Sequence, residues 1–268
     1  MPEEVPSPSG RGQSRYNVPK QGFNMPKQYG WLPDIPDKRD LLYSAIKPRI
    51  RLLSKVDLRE SCSEVENQGK LGSCTANALA GNIEYLDNLS DSSYTDVSRL
   101  FIYYNERELE YTEDYDSGAS LRDGIKTLKK AGYCWEKSWP YKIALFDQKP
   151  PLCCYKEAKQ YCIQSYHRIN NLQEMLICLS QWYPFVFGFT VYESFESPVV
   201  TRAGVVDMPK KGERALGGHA VMAVGYNQKE KRFLVRNSWG KQWGKAGYFT
   251  MPFEYLETLA ADFWTIRK

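Results

Sequence analysis

Two kinds of apolar spacing divide the chain. From Cys74 the string TANALAGNIEYLDNLS sets Ala76, Leu79, Ala80, Ile83 and Leu86 three and four residues apart, the repeat of a helix that buries a stripe. The spacing predicts a helix that starts beside Cys74. A second segment, SRLFIYYNERELEY, opens on Ser98 as N-cap and offers Leu100, Tyr103, Tyr104 and Leu109 as a partial apolar face. Residues 121–130 predict a third helix, ending at Gly132. Beyond about Tyr155 the pattern turns to short runs rich in β-branched and aromatic residues, PFVFGFTVY, HAVMAVGYN, RFLVRNSWG and GYFTMP, parted by Gly, Asn and Lys. These predict a sheet or small barrel, interrupted by one helix over residues 172–182. A helical half followed by a β-rich half is an α+β arrangement, and ligand clefts often form where two such units meet. The expected organisation is a leader at 1–55, a helical unit at 56–155 and a β-rich unit at 156–268.

Within the leader, residues 1–30 are rich in Pro, Gly, Ser and charge, the composition of a mobile segment. Residues 29–43, YGWLPDIPDKRDLLY, differ: Trp31, Leu32 and Ile35 are apolar anchors spaced by prolines that favour an extended path. Such a segment lies along a groove, or packs as a loop on its own unit; the pattern serves both. The longest apolar run, residues 182–192, contains Pro and Gly and falls short of the roughly 20 residues a spanning helix needs. No apolar stretch follows a basic N-terminus, so the expected location is cytoplasmic, or outside the cell by a route without a visible signal peptide.

Composition narrows the classes. With 42% hydrophobic, 14% aromatic and 25% charged residues among 268, the chain is neither collagen-like nor globally disordered. A net charge of +4 without a block of like charges gives no reason to expect a nucleic-acid partner, and none with a membrane is expected. The seven cysteines allow three bridges and one free thiol, or seven thiols in a reducing compartment. There are two histidines, so imidazole chemistry falls to His167 or His219.

Three strings carry candidate chemistry. In NQGKLGSCTAN, Gly69 and Gly72 permit a tight turn that delivers Cys74 to the first turn of a helix, where unpaired N–H groups favour thiolate over thiol. A small buried cysteine at a helix start is the equally ordinary alternative. In LGGHAVMAVGY, His219 stands at the entry to an apolar strand; a satisfied structural histidine is the usual explanation of an isolated case. VRNSWGKQWG follows a hairpin around residues 227–231, which puts Asn237 on the neighbouring strand. Its amide oxygen is placed to accept the ring N–H of His219, with Trp239 shielding that bond.

Gln68, the GSC around Cys74, the GGHAV around His219 and the NSWGKQWGKAGY from Asn237, in the order Cys, His, Asn, resemble the papain family of cysteine peptidases. VDLRE at Val56 resembles the start of the mature enzymes, and DSGASLRDGIKTLKKAGYCWEKSWPY the stretch that lines the non-primed cleft. The short leader resembles the bacterial or viral branches. The resemblance implies a papain-like two-domain fold, with a helical left domain, a β-barrel-like right domain and the active-site cleft between them. It implies a thiol protease that acts on peptide or protein substrates through a thioester, without cofactor or metal, and the chain is expected to be a monomer. Carried over by motif, Cys74 is the nucleophile, His219 the base, Asn237 the residue that orients it, and Gln68 with the Cys74 N–H the oxyanion donors. The resemblance further implies that Trp239 covers the Asn237–His219 pair, that Trp243 borders the leaving-group side, and that Gly118 pairs with extended substrate. Residues Leu259, Ala260 and Ala261 would contribute to an apolar pocket.

Two departures accompany the match. Leu71 stands where the family usually has a bridged cysteine, and Thr75 where it has tryptophan. The first favours reading Cys62, Cys134, Cys153, Cys154, Cys162 and Cys178 as thiols; the adjacent pair Cys153 and Cys154 has no metal-ligand spacing. His167 is expected to be structural. The leader lacks a long inhibitory helix, yet residues 20–50 are expected on the surface or over the cleft as an intramolecular inhibitor, a zymogen arrangement that deletion of residues 1–50 would relieve. The competing readings are a catalytically silent papain-like binding protein, an aromatic-rich interaction protein, and an acyl transferase with an amine acceptor. The complete set Gln68, Cys74, His219 and Asn237 argues against silence.

Overall fold

The computed structural model describes residues 29–91 and 94–268; the part of the inhibitor expectation that concerns residues 20–28 lies outside them. Helix α1 (Cys74–Asp91) begins on the cysteine, as its spacing predicts. It is buried on all sides through Asp87 rather than along one stripe, because it is wedged between the sheet and the next two helices. Those are α2 (Arg99–Glu110) and α3 (Leu121–Lys130). Ser98 and Ser120 cap them by accepting the N–H of Phe101 and Asp123. Gly124 lets α3 approach closely: a Cβ there would lie 2.6 Å from both Glu106 Oε2 and Leu79 Cδ1.

The second half supplies α4 (Leu152–Ala158), α5 (Leu172–Ser180), α6 (Pro198–Ala203) and α7 (Phe253–Leu259). Helix α5 stops two residues short of the expected end, and Trp182 takes a left-handed φ of 64°. The strands are β1 (Lys55–Asp57), β2 (Ser165–Ile169), β3 (Phe185–Tyr192), β4 (Ala215–Asn227), β5 (Arg232–Arg236), β6 (Tyr248–Pro252) and β7 (Ala260–Arg267). Among the described residues they form one antiparallel sheet in the order β2-β7-β3-β4-β5-β6, with β1 on β4. This corrects the barrel-like expectation, since β2 and β6 end the path unpaired with each other. The length of β4 explains the layout: β3 takes residues 215–223, and β1 takes 225–227 after a register shift. The fold is therefore α+β, with an open sheet.

Alternate positions of β3 put Phe185, Phe187 and Phe189 in one line, with ring centroids 5.8 and 6.1 Å apart. They join Phe233, Phe263 and Tyr255 in the core. All seven cysteines are unbridged. No helix among the described residues is long and apolar enough to cross a membrane. The tight seat of Gly124 yields a stability test. Gly124→Ala is expected to destabilise by about 1–3 kcal/mol through overpacking, read as a lowered calorimetric Tm, whereas Lys130→Ala at the exposed end of α3 should leave Tm nearly unchanged.

Candidate active site

The loop before α1 is fixed from three directions. Gly69 takes a φ of +63°, a left-handed turn that suits glycine. The Gln68 N–H donates to Ser238 O (2.9 Å). The Gln68 side chain accepts from the Ser238 hydroxyl (2.6 Å) and donates to Leu71 O (2.9 Å). Asp116 receives the Gly72 N–H on both carboxylate oxygens, at 3.0 and 3.1 Å. The Tyr141 hydroxyl donates to Gln68 O (2.9 Å) and lies 2.5 Å from Ser73 Oγ. Sequence reasoning found Gln68 and Cys74 but missed Asp116, Tyr141 and Ser238. They sit 44, 73 and 170 residues from their partners; all three lie within strings the sequence singles out, but nothing local says what they hold.

His219 lies inside β4, four residues past its start rather than at its entry, and opposite Phe189. Its Nε2 is 2.8 Å from Asn237 Oδ1, and the Ser238 N–H donates to the same oxygen at 2.9 Å. A backbone N–H only donates, so that amide atom is the oxygen, Nε2 carries hydrogen, and Nδ1 is the basic nitrogen. The Trp239 ring lies over the imidazole with centroids 4.9 Å apart. Trp243 is buried behind it, edge-on to Trp239 at 5.3 Å and beside Phe195. His167 is in β2 opposite Thr265, where burial and the charge of Arg267 lower its pKa. The structure does not bring it to the site.

Residues 29–32 cross directly above the sulfur. Trp31 N–H donates to Gly218 O (3.0 Å), Ala119 N–H to Gly30 O (2.8 Å) and Leu32 N–H to Ala119 O (3.0 Å). Pairing thus falls on Ala119, while Gly118, with a φ of +74°, gives clearance: a Cβ there would stand 2.2 Å from Gly30 O. The Trp31 indole fills a pocket over Gly188 and Gly218, and a Cβ at Gly188 would fall 1.9 Å from the ring. Gly188 pairs with Ala261, and Phe189 with Ala260, on β7. Tyr29 donates to Glu196 Oε1 (2.5 Å) and packs against Trp239 at 5.9 Å.

This cover sets the electrostatics. Cys74 and His219 are both fully buried. Burial pushes the Cys74 thiol up to about 12, although the N–H groups of Ala220 (3.3 Å to Sγ), Gly30 and Thr75 pull it down. The helix terminus alone does not win. Burial likewise holds His219 down to about 4, opposed by its bond to Asn237. Thr75 donates to Glu106 Oε1 (2.5 Å), and burial keeps that carboxyl well above its ordinary range. The nearby Glu106 carboxyl adds to the upward push on the Cys74 thiol. Among the described residues no group of three His, Cys, Asp or Glu side chains is placed to hold a metal ion.

The cover is close to balance energetically. Burying the Tyr29 and Trp31 side chains contributes about 1.5–3 kcal/mol each and three backbone hydrogen bonds about 0.5–1.5 kcal/mol each. Ordering four residues costs about 1–2 kcal/mol apiece. Residues 29–32 by themselves would hold the cleft weakly.

Comparison with known proteins fits this geometry. The family model described as papain family cysteine protease matches residues 52–257. An uncharacterized peptidase C1-like protein of Acanthamoeba polyphaga mimivirus is 43% identical over 272 residues, covering 90% of this chain and 87% of that protein. The crystal structure of xylellain, a cysteine protease from Xylella fastidiosa, superposes with a TM-score of 0.83 at 41% identity, covering 91% of this chain and 97% of that one. Digestive procathepsin L 3 of Tenebrio molitor shares the fold, with a TM-score of 0.68 at 17% identity over 91% of this chain and 76% of that one. The chain belongs to the papain family of cysteine proteases.

Proposed function

We propose that the structure is the closed form of a peptide-hydrolysing enzyme whose own residues 29–43 occlude its cleft. The observation that carries this reading is the fully buried Cys74 beneath a Trp31 backbone bonded to Gly218 while its neighbours bond to Ala119. In the open enzyme, residues 56–155 and 156–268 form the two walls. His219 Nδ1 takes the Cys74 proton, and the thiolate attacks the scissile carbonyl carbon. The Gln68 side chain and the Cys74 N–H stabilise the oxyanion, and His219 then protonates the leaving amine. Water hydrolyses the thioester through the same donors. Asn237 keeps the imidazole in the required tautomer, and Trp239 keeps water off that bond.

Closure moves protons with opposite signs. His219, lowered from 6.5 to about 4, stabilises the closed form at pH above 6.5, and that advantage is lost as pH falls toward 4. Asp34, in the strap formed by residues 29–43, is raised from 3.8 to about 6 by burial and by the charge of Asp262. Closure therefore gains at this group as pH falls from about 6 toward 4. The two effects oppose each other, so mild acid is a weak opening signal.

Tyr43 is a core residue, fully buried, so a deletion should stop short of it. Removing residues 1–40 is expected to raise kcat/KM on a fluorogenic peptide; unchanged activity in a folded protein would reject occlusion. Within the opened protein, Cys74→Ala should abolish turnover and Gln68→Ala should lower kcat by about 100–1,000-fold. His219→Ala should cost about 100–10,000-fold, and activity insensitive to it would remove His219 from the mechanism. Because burial raises the Cys74 thiol to about 12, alkylation by iodoacetamide in the intact chain should stay slow through pH 8 and climb only in more alkaline buffer. Deletion of residues 1–40 should shift that onset below pH 7.

A further inference from the structure

Past the cover, the strap carries two carboxylates into a cluster of buried charge. Asp34 Oδ2 accepts from Arg168 Nη2 (2.6 Å) and Trp264 Nε1 (2.8 Å), its Oδ1 accepts the Arg122 N–H (3.1 Å), and its own N–H donates to Asp262 Oδ2 (2.7 Å). Asp40 receives Arg122 through Nε (3.0 Å) and Nη2 (2.6 Å), and Arg168 through Nε (2.9 Å). Arg122 Nη1 also donates to Ile35 O, and Arg168 Nη1 lies 3.2 Å from Asp262. The Asp34 side chain is fully buried and those of Arg122 and Asp40 nearly so, at 6% and 9% exposure. Arg122 stands on α3, Arg168 on β2, and Asp262 with Trp264 on β7. The strap therefore clips a helix of one half to two strands of the other.

We propose that Asp34 and Asp40, with Arg122 and Arg168, form a charge latch that controls how often the strap leaves the cleft. The inference rests on the reading that residues 29–32 occlude Cys74, and it assigns the holding force to a different place. The cover over the sulfur is near balance on its own. Among the described residues, every ion pair from residues 29–43 to the rest of the chain runs through Arg122 or Arg168. Removing one partner leaves a buried charge uncompensated, so the cluster lets go as a unit. Tyr43, buried and bonded to Gln181 Oε1 (2.5 Å), remains as the tether. Opening is then a swing of residues 29–40 about residues 41–43 that leaves both walls of the cleft in place.

The test is alkylation of Cys74 by iodoacetamide at pH 7 in the full-length chain, resolved by peptide mass spectrometry, with buried Cys134 read in the same sample as a monitor of global opening. Asp40→Asn and Arg168→Gln are each expected to speed Cys74 labelling about tenfold or more while Cys134 keeps its native rate, and Trp31→Ala to do the same by weakening the cover. If Trp31→Ala speeds labelling but both charge variants react at the native rate, the latch is wrong and occlusion stands. If Cys134 is exposed together with Cys74 in the charge variants, the cluster supports the whole fold and the latch is again refuted. Should native Cys74 already react like an exposed thiol, with Trp31→Ala making no difference, the occlusion reading falls and the latch with it.

Discussion

Three glycines meet where the strap crosses the cleft, and the rest of the site depends on how closely they approach. A Cβ at Gly30 would sit 1.7 Å from Gly72 O, and one at Gly118 would sit 2.2 Å from Gly30 O; real side chains do not tolerate such distances. Because these backbones touch, the Gly30 N–H reaches the sulfur and Trp31 drops onto Gly188. Water is excluded from Cys74 and His219 as a result. Their neutral states follow from that exclusion and from nothing unusual in the residues themselves.

The same crossing separates what positions the chemistry from what restrains it. Gln68, Asn237 and His219 are held by Ser238, Tyr141 and Trp239, and the loop before Cys74 by Asp116, none of which lies in residues 29–43. The strap covers the Cys74 sulfur but supplies none of these braces. On the proposed reading, a preformed constellation under a removable cover accounts for full burial at the one place where a peptidase has to admit its substrate.

How much the sequence disclosed depended on the range of the interactions. Cys74, His219 and Asn237 sit in short strings whose glycines and strand pattern are local, and so did the starts of α1, α2 and α3, marked by the stripe and the serine caps. Strand β7 was not legible, because it follows α7 with no turn residue between Leu259 and Ala260. An open sheet and a barrel share the same strand strings and differ only in whether β2 meets β6. The prolines around Trp31 gave the strap its extended path but not its destination, which is set by clearance at glycines from distant parts of the chain.

The central claim is that residues 29–32 cover Cys74 through a backbone fit that admits only glycine at position 30, and the most direct measurement is the peptidase activity of Gly30→Ala in the otherwise intact chain. The added methyl cannot coexist with Gly72 O, yet it touches no residue assigned to the mechanism. The account predicts a kcat/KM above that of the native chain, approaching that of protein lacking residues 1–40. Activity equal to the native value, with the fold preserved, would contradict it.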